Sequence, residues 1–161
     1  LAVIERTFSL FFDKSVEACN ELGKKLLVVG RGPEKERLEA LAGPTVRIVS
    51  GISDAQLRYA YRHCLALLAI SYEDFGITPL EAGASGKAVI AYRAGGFLDT
   101  IQEGKTGMFI NQPTVEQLVE ALKAFNPTDW DADYIREHVD GFSEARFISR
   151  LKTYVQALPE D

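Results

Sequence analysis

The sequence predicts an α/β fold, a parallel sheet covered by helices on both faces, and three observations carry that prediction. Short apolar runs recur along the chain: KLLVVG (25–30), VRIVS (46–50), LALLAIS (65–71), AVIAY (88–92) and GMFIN (107–111). They are continuous rather than alternating, as strands buried on both faces are. Segments of helical period with recognisable starts separate them, so strands and helices alternate as in a doubly wound, Rossmann-like unit. The chain of 161 residues reads as a single domain, with its core over about 13–125 and a helical segment over about 131–158.

Each element has its own signal. The opening LAVIERTFSLFF is too apolar for a free tail and reads as an extra strand and loop leading into a helix over 14–22. Pro33 stands as a first-turn proline before EKERLEALAG, and Gly43 is placed to close that helix. Ser53 to Gln56, Thr78 to Glu81 and Thr114 to Gln117 each have the spacing of a capping box. After Phe125 the chain passes through NPTDWDAD into YIREHV and a last helix with Ser143 as N-cap. That helix lines up Phe147, Leu151, Tyr154 and Val155 on one face, which is expected to pack back on the domain.

Composition narrows the function. Net charge is −5, yet residues 1–125 hold 15 acids and 14 bases while 126–161 hold 8 acids and 4 bases. No basic field for nucleic acid or anionic membrane is present. With no 18-residue apolar run and no cleavable leader pattern, the chain is expected to be cytoplasmic and without a transmembrane segment. Cys19 and Cys64 lack C-x-x-C spacing and read as buried free thiols. His63 and His138 have neither metal spacing nor a neighbouring nucleophile, and no metal site is expected.

The densest functional signal is Tyr72-Glu-Asp-Phe-Gly-Ile-Thr-Pro-Leu-Glu-Ala82. A strand runs into Glu73, a turn follows at Gly76, and a helix opens near Thr78 with Glu81 in its first turn. Helix-start amides, backed by the positive end of the dipole, suit a phosphate, and a glycine lets it approach. Glu81 fits two roles, a capping-box acceptor for Thr78 or a ligand for hydroxyls. Glu73, at a strand end, is either a solvated loop charge or a ligand contact. Gly30-Arg31-Gly32 follows a strand but lacks the third glycine of a dinucleotide fingerprint, Lys35 standing there, so NAD binding is disfavoured. It is a plain turn or a wall of a nucleotide site, where Arg31 would meet phosphate. Ser53 caps a helix or meets a base. Gly95-Gly96 brings backbone near a ligand or simply turns, Arg93 pairs with phosphate or lies in water, and Gly83 and Gly86 suggest close packing at the site.

On the string EDFGITPLEAGASGKAVIAYRAGG the chain resembles the E-x7-E region of retaining, nucleotide-sugar-dependent glycosyltransferases of the GT-B fold, group 1 or family 4 type. The resemblance runs from about Val16 to about Leu151 and corresponds to the C-terminal, donor-binding half. It implies that Glu73 lies by the donor sugar as the catalytic residue, that the amides of Gly76, Ile77 and Thr78 hold the diphosphate with Phe75 also binding substrate, and that Glu81 binds the ribose. It sets Gly30, Arg31, Gly32 and Ser53 against the nucleotide. The implied activity is hexosyl transfer with retention, mannose from a GDP donor being the family-based expectation. The nucleotide sugar is a substrate, and no cofactor is implied. The acceptor, a glycan, lipid or small molecule, would be held by an N-terminal domain absent here, leaving this chain inactive alone and the full protein peripheral to a membrane. A first residue Leu rather than Met agrees with that expectation.

One departure stands out. The family opens this domain with an arginine and, about five residues on, a lysine that clamp the diphosphate. The register set by Val16-Glu-Ala-Cys-Asn20 puts Leu10 and Phe11 at the lysine and its basic neighbour, with Arg6 one position from the arginine and Lys14 a substitute only if the loop is rearranged. Losing such a cation removes electrostatic stabilisation on the order of several kcal/mol. A non-catalytic nucleotide-sugar binding module is therefore a rival reading, and a sugar-nucleotide epimerase or sugar phosphorylase a weaker one.

Overall fold

The computed structural model describes the backbone of residues 2–4 and, in full, residues 11–157. Its strands form one parallel sheet: β1 (Ala2–Ile4), β2 (Leu26–Val29), β3 (Val46–Val49), β4 (Ala66–Ala69), β5 (Val89–Tyr92) and β6 (Gly107–Ile110). Their spatial order is β3-β2-β1-β4-β5-β6. The five apolar runs become β2 to β6. The extra strand at the N-terminus is β1, and it lies mid-sheet, Ala2 pairing with both Leu26 and Ala66. The chain builds outward to β3, then crosses back to β4. Strand order thus reverses between β1 and β4, and the crevice outside their carboxyl ends is where open α/β sheets bind ligands.

The helices are α1 (Phe12–Leu22), α2 (Lys35–Leu41), α3 (Asp54–His63), α4 (Ile77–Gly83), α5 (Phe97–Thr100), α6 (Val115–Ala124), α7 (Ala132–Asp140) and α8 (Glu144–Gln156). One core joins α1, α2 and α6 to the sheet through Phe12, Val16, Leu38 and Leu118, with Leu68 and Ile70 facing them. The other joins α3, α4 and α5 through Leu57, Tyr61, Ala82 and Phe97, with Leu67 and Ala69 facing them. Alternate β4 residues therefore enter opposite cores, and each fully buried leucine contributes about 1.5–3 kcal/mol. That double burial is why the run is uniformly apolar.

Several local expectations are corrected. Pro33 precedes the N-cap Glu34 and so lies ahead of the first turn of α2. Closure of α2 falls to Asn20 of α1, whose amide donates to the Leu41 carbonyl at 2.8 Å and accepts from the Gly43 amide at 2.9 Å. The Ser53 capping box forms in full, Gln56 N to Ser53 Oγ at 3.2 Å and Ser53 N to Gln56 Oε1 at 2.8 Å. Thr114 accepts from Gln117 N, but the Gln117 side chain instead takes the Asn111 and Gln112 amides. Cys19 and Cys64 are buried and free, burial pushing the Cys19 thiol up to about 11.

The C-terminal helices differ from expectation most. α7 packs on α4, where Gly83 faces Val139 and Ile135, and Gly86 faces Ala132. Close packing at Gly83 and Gly86 thus serves a helix interface rather than the candidate site. His138 bonds the Thr100 carbonyl at 2.9 Å and fixes α7 further. No residue of α8 is buried: Phe147, Leu151, Tyr154 and Val155 all face outward, and Ser143 makes no side-chain cap. Periodicity specifies an apolar stripe without specifying a cover, and α7 already occupies the α4 surface. Among the described residues no helix is long and apolar enough to cross a membrane.

Candidate functional site

The turn after β4 is tightly constrained at the carboxyl end of the sheet. Ser71 is buried and donates its hydroxyl to Glu73 Oε1 at 3.2 Å, which orients a half-buried carboxylate at the strand end. Phe75 is 79% exposed and Ile77 61%, whereas Gly76 and Thr78 are buried. Gly76 takes a left-handed conformation, φ 64°, and is the N-cap of α4. That placement overturns the Thr78 to Glu81 capping box, because Thr78 is already inside the helix and the cap position has no side chain. Glu81 lies beyond the first turn, and its Oε2 accepts from the Tyr61 hydroxyl of α3 at 3.1 Å.

Gly95 and Gly96 clamp this turn from the next loop. The Gly96 amide donates to the Glu73 carbonyl at 2.7 Å. A side chain on Gly95, itself at φ 55°, would collide with that same carbonyl oxygen, and one on Gly96 would lie 2.5 Å from the Phe75 carbonyl carbon. These glycines are explained by backbone meeting backbone; their effect is to hold Glu73 and Gly76 in place.

The second wall is looser. Gly30 N bonds the Val49 carbonyl at 3.0 Å, tying the ends of β2 and β3. The Arg31 guanidinium lies over Gly51, and a cavity of about 240 Å³ opens among Val29, Gly30, Arg31, Gly51 and Ile52. Arg31 has no carboxylate within ion-pair distance among the described residues. Gly32 is exposed on the same turn. β2 and β4 flank β1, so the two walls stand two strand spacings apart, about 10 Å. Ser53 faces its own helix, its hydroxyl accepting the Gln56 amide.

The other cations suggested for phosphate, Arg93 and Lys14, are engaged elsewhere. Arg93 pairs with Glu103, bonds Asn111 Oδ1 at 2.9 Å and stacks over Phe109. Lys14 lies 3.3 Å from Asp13 and 3.6 Å from Glu17, and its hydrogen bond with Asp13 raises its pKa. Phe11 is half-buried with its ring edge-on to Tyr92. Arg6 and Leu10 lie outside the described residues.

Sequence reading missed Tyr61 and Ser71 as partners of the two glutamates. Ser71 could have been found from its i, i+2 spacing to Glu73. Tyr61 is 20 residues from Glu81, and only the packing of α3 on α4 joins them.

The family described as glycosyl transferases group 1 matches residues 12–129. An alpha-1,3/1,6-mannosyltransferase of Dictyostelium discoideum is 35% identical over 113 residues, covering 66% of this chain and 27% of that protein. Sucrose-phosphate synthase of Thermosynechococcus elongatus superposes with a TM-score of 0.82 at 24% identity, over 96% of this chain and 45% of that one. Anabaena HepE, solved with UDP and glucose, superposes at 0.72 with 16% identity, over 98% and 48%. The chain thus spans about a quarter of the curated mannosyltransferase and about half of the solved structures.

Proposed function

Because the chain belongs to the group 1 glycosyl transferases and forms one half of a GT-B architecture, we propose that it supplies the donor-binding half of a retaining hexosyltransferase. The observation that carries this reading is the placement of Glu73 and Glu81 on either side of the Gly76 turn, beside the reversal of strand order. In this scheme the backbone at Gly76, Ile77 and Thr78 receives the diphosphate at the positive end of α4, as helix starts do for anions. Glu81, oriented by Tyr61, accepts from the ribose hydroxyls. Glu73, oriented by Ser71, binds the transferred sugar and steadies positive charge developing as its anomeric bond breaks. Gly30, Arg31 and Gly51 form the nucleotide wall, with Arg31 free to meet phosphate.

The electrostatic work is leaving-group stabilisation, worth about 3–4 kcal/mol for a single well-aimed donor in comparable sites. The acceptor belongs to an N-terminal half, so the present residues bind donor without transferring sugar. The likeness to a mannosyltransferase supports mannose as the transferred hexose. A second reading, nucleotide-sugar binding without turnover, is favoured by one observation: Phe11, at the family's clamp position, is packed against Tyr92, and Lys14, three residues on, is held by acids.

A thermal-shift screen of UDP, GDP and ADP with their sugars tests binding. Ligand at a hundred times its dissociation constant stabilises the domain by about 2.7 kcal/mol. No shift with any of them removes the proposal. Transfer assays on a longer chain containing residues 1–161 then decide between the two readings: turnover supports the transferase, and tight binding without it the module.

A further inference from the structure

We propose that the groove between α3, α4 and α7 is a second anion site, shaped for a phosphate monoester with a hydroxyl-bearing body. Its cavity of about 600 Å³ is the size of a small-molecule site. Arg58, Tyr61 and Arg62 of α3 line one side, Glu81 and Ser85 another, and Arg136 of α7 reaches in from the third.

The charge arrangement asks for an anion. Arg58 and Arg62 are one helical turn apart on the same face, a like-charge spacing that costs about 0.2–0.5 kcal/mol in a bare helix. Neither has a carboxylate within ion-pair distance among the described residues. Arg136 is paired with Asp133, but that carboxylate is 92% exposed, so the pair contributes little and is open to exchange. The chain as a whole is acidic, so these cations are not part of a general basic surface.

Geometry then selects the class of ligand. Arginines from two helices line one groove, and guanidinium forks suit phosphate oxygens. Glu81, the Tyr61 hydroxyl and Ser85 supply partners for sugar-like hydroxyls, whereas Asp54 at the α3 end of the groove disfavours a second anionic group there. An occupant touches Tyr61, which holds Glu81, and so reaches the turn after β4. The site goes beyond the donor reading: it shares Glu81 and Tyr61 with the proposed ribose contact, but its phosphate end at Arg58, Arg62 and Arg136 does not rest on that reading.

Titration of the whole chain with mannose 6-phosphate and, separately, inorganic phosphate, followed by amide chemical shifts, tests the site. Perturbations at Arg58, Arg62, Ser85 and Arg136 are expected, with mannose 6-phosphate binding tighter than phosphate. The double variant Arg58→Ala, Arg62→Ala should weaken mannose 6-phosphate at least about tenfold with an unchanged melting temperature. Arg58→Lys should fall between, because charge is kept and the fork is lost. Shifts confined to Gly30, Gly51 and Gly76, undiminished binding by the double variant, or equal affinity for phosphate alone each overturn the proposal. UDP, GDP and ADP are read in parallel through Gly76 and Ile77, so failure of the donor reading is seen separately.

Discussion

The turn after β4 and the turns after β2 and β3 face the same crevice but are held differently. The first is locked by backbone: Gly76 caps α4 in a left-handed conformation, and Gly95 and Gly96 press on the carbonyls of residues 73 to 75. The second is set by a movable side chain, since the nearest atom to a Cβ on Gly51 is the tip of Arg31 at 3.1 Å. A fixed wall suits groups common to every donor, the diphosphate and ribose, while a yielding wall suits the part that differs between nucleotides. The contrast is one of stored precision, and mutation exposes it directly.

Substitution at the glycines gives the largest expected difference. Gly95→Ala forces a left-handed residue and a collision with the Glu73 carbonyl, and should cost about 3 kcal/mol in denaturant unfolding. Gly51→Ala carries the left-handed penalty alone, about 1 kcal/mol, because Arg31 can swing away. Equal losses would erase the distinction between the walls.

Alkaline pH acts on the core, away from both walls. The Cys19 thiol has its pKa raised by burial from near 9 to about 11, so the folded state keeps its proton longer than the unfolded chain. That contribution, on the order of 2 kcal/mol, is complete below pH 9 and lost as pH rises towards 11. Cys19→Ala should flatten that part of the stability profile, and a profile identical to the parent's would assign the alkaline loss elsewhere.

Smaller effects separate orientation from contact. Tyr61→Phe removes the hydroxyl that holds Glu81 and should weaken nucleotide about threefold to fivefold by calorimetry, while leaving the Gly76 turn intact. Arg31→Ala should weaken nucleotide only about twofold to threefold at moderate salt, because an exposed cation is screened. A loss at Arg31 exceeding that at Tyr61 would make the yielding wall the dominant one.

Much of this was legible in the sequence, for identifiable reasons. Strands β2 to β6 announce themselves because burial on both faces demands uninterrupted apolar residues, as Leu67 to Ile70 illustrate by entering two cores in alternation. The central position of β1 was not legible, since strand order depends on crossovers and not on Ala2 to Ile4 themselves. Glu73, Gly76 and Glu81 could be read as one constellation because they are local. The cap of α4 was misread by two residues: the side-chain rule favours Thr78, but a left-handed glycine needs no side chain to start a helix. Tyr61, the Gly95 clamp and the meeting of Arg136 with Arg58 and Arg62 in one groove arise from tertiary packing, for which short-range spacing has no signal. The exposed stripe on α8 shows the same limit from the other side.

The most direct test of the central claim, that the locked turn reads the donor through two glutamates, is calorimetry on Glu73→Gln and Glu81→Gln with bare nucleotide and nucleotide sugar compared. Glutamine preserves size in both, and neither glutamate caps the Gly76-initiated helix in the manner of a capping box, so folding should be little changed. Glu81→Gln should weaken both ligands about tenfold, the loss of one charge-assisted bond. Glu73→Gln should leave the bare nucleotide unchanged and weaken only the sugar-bearing donor. Parent-like affinities for both ligands in both variants would contradict the account.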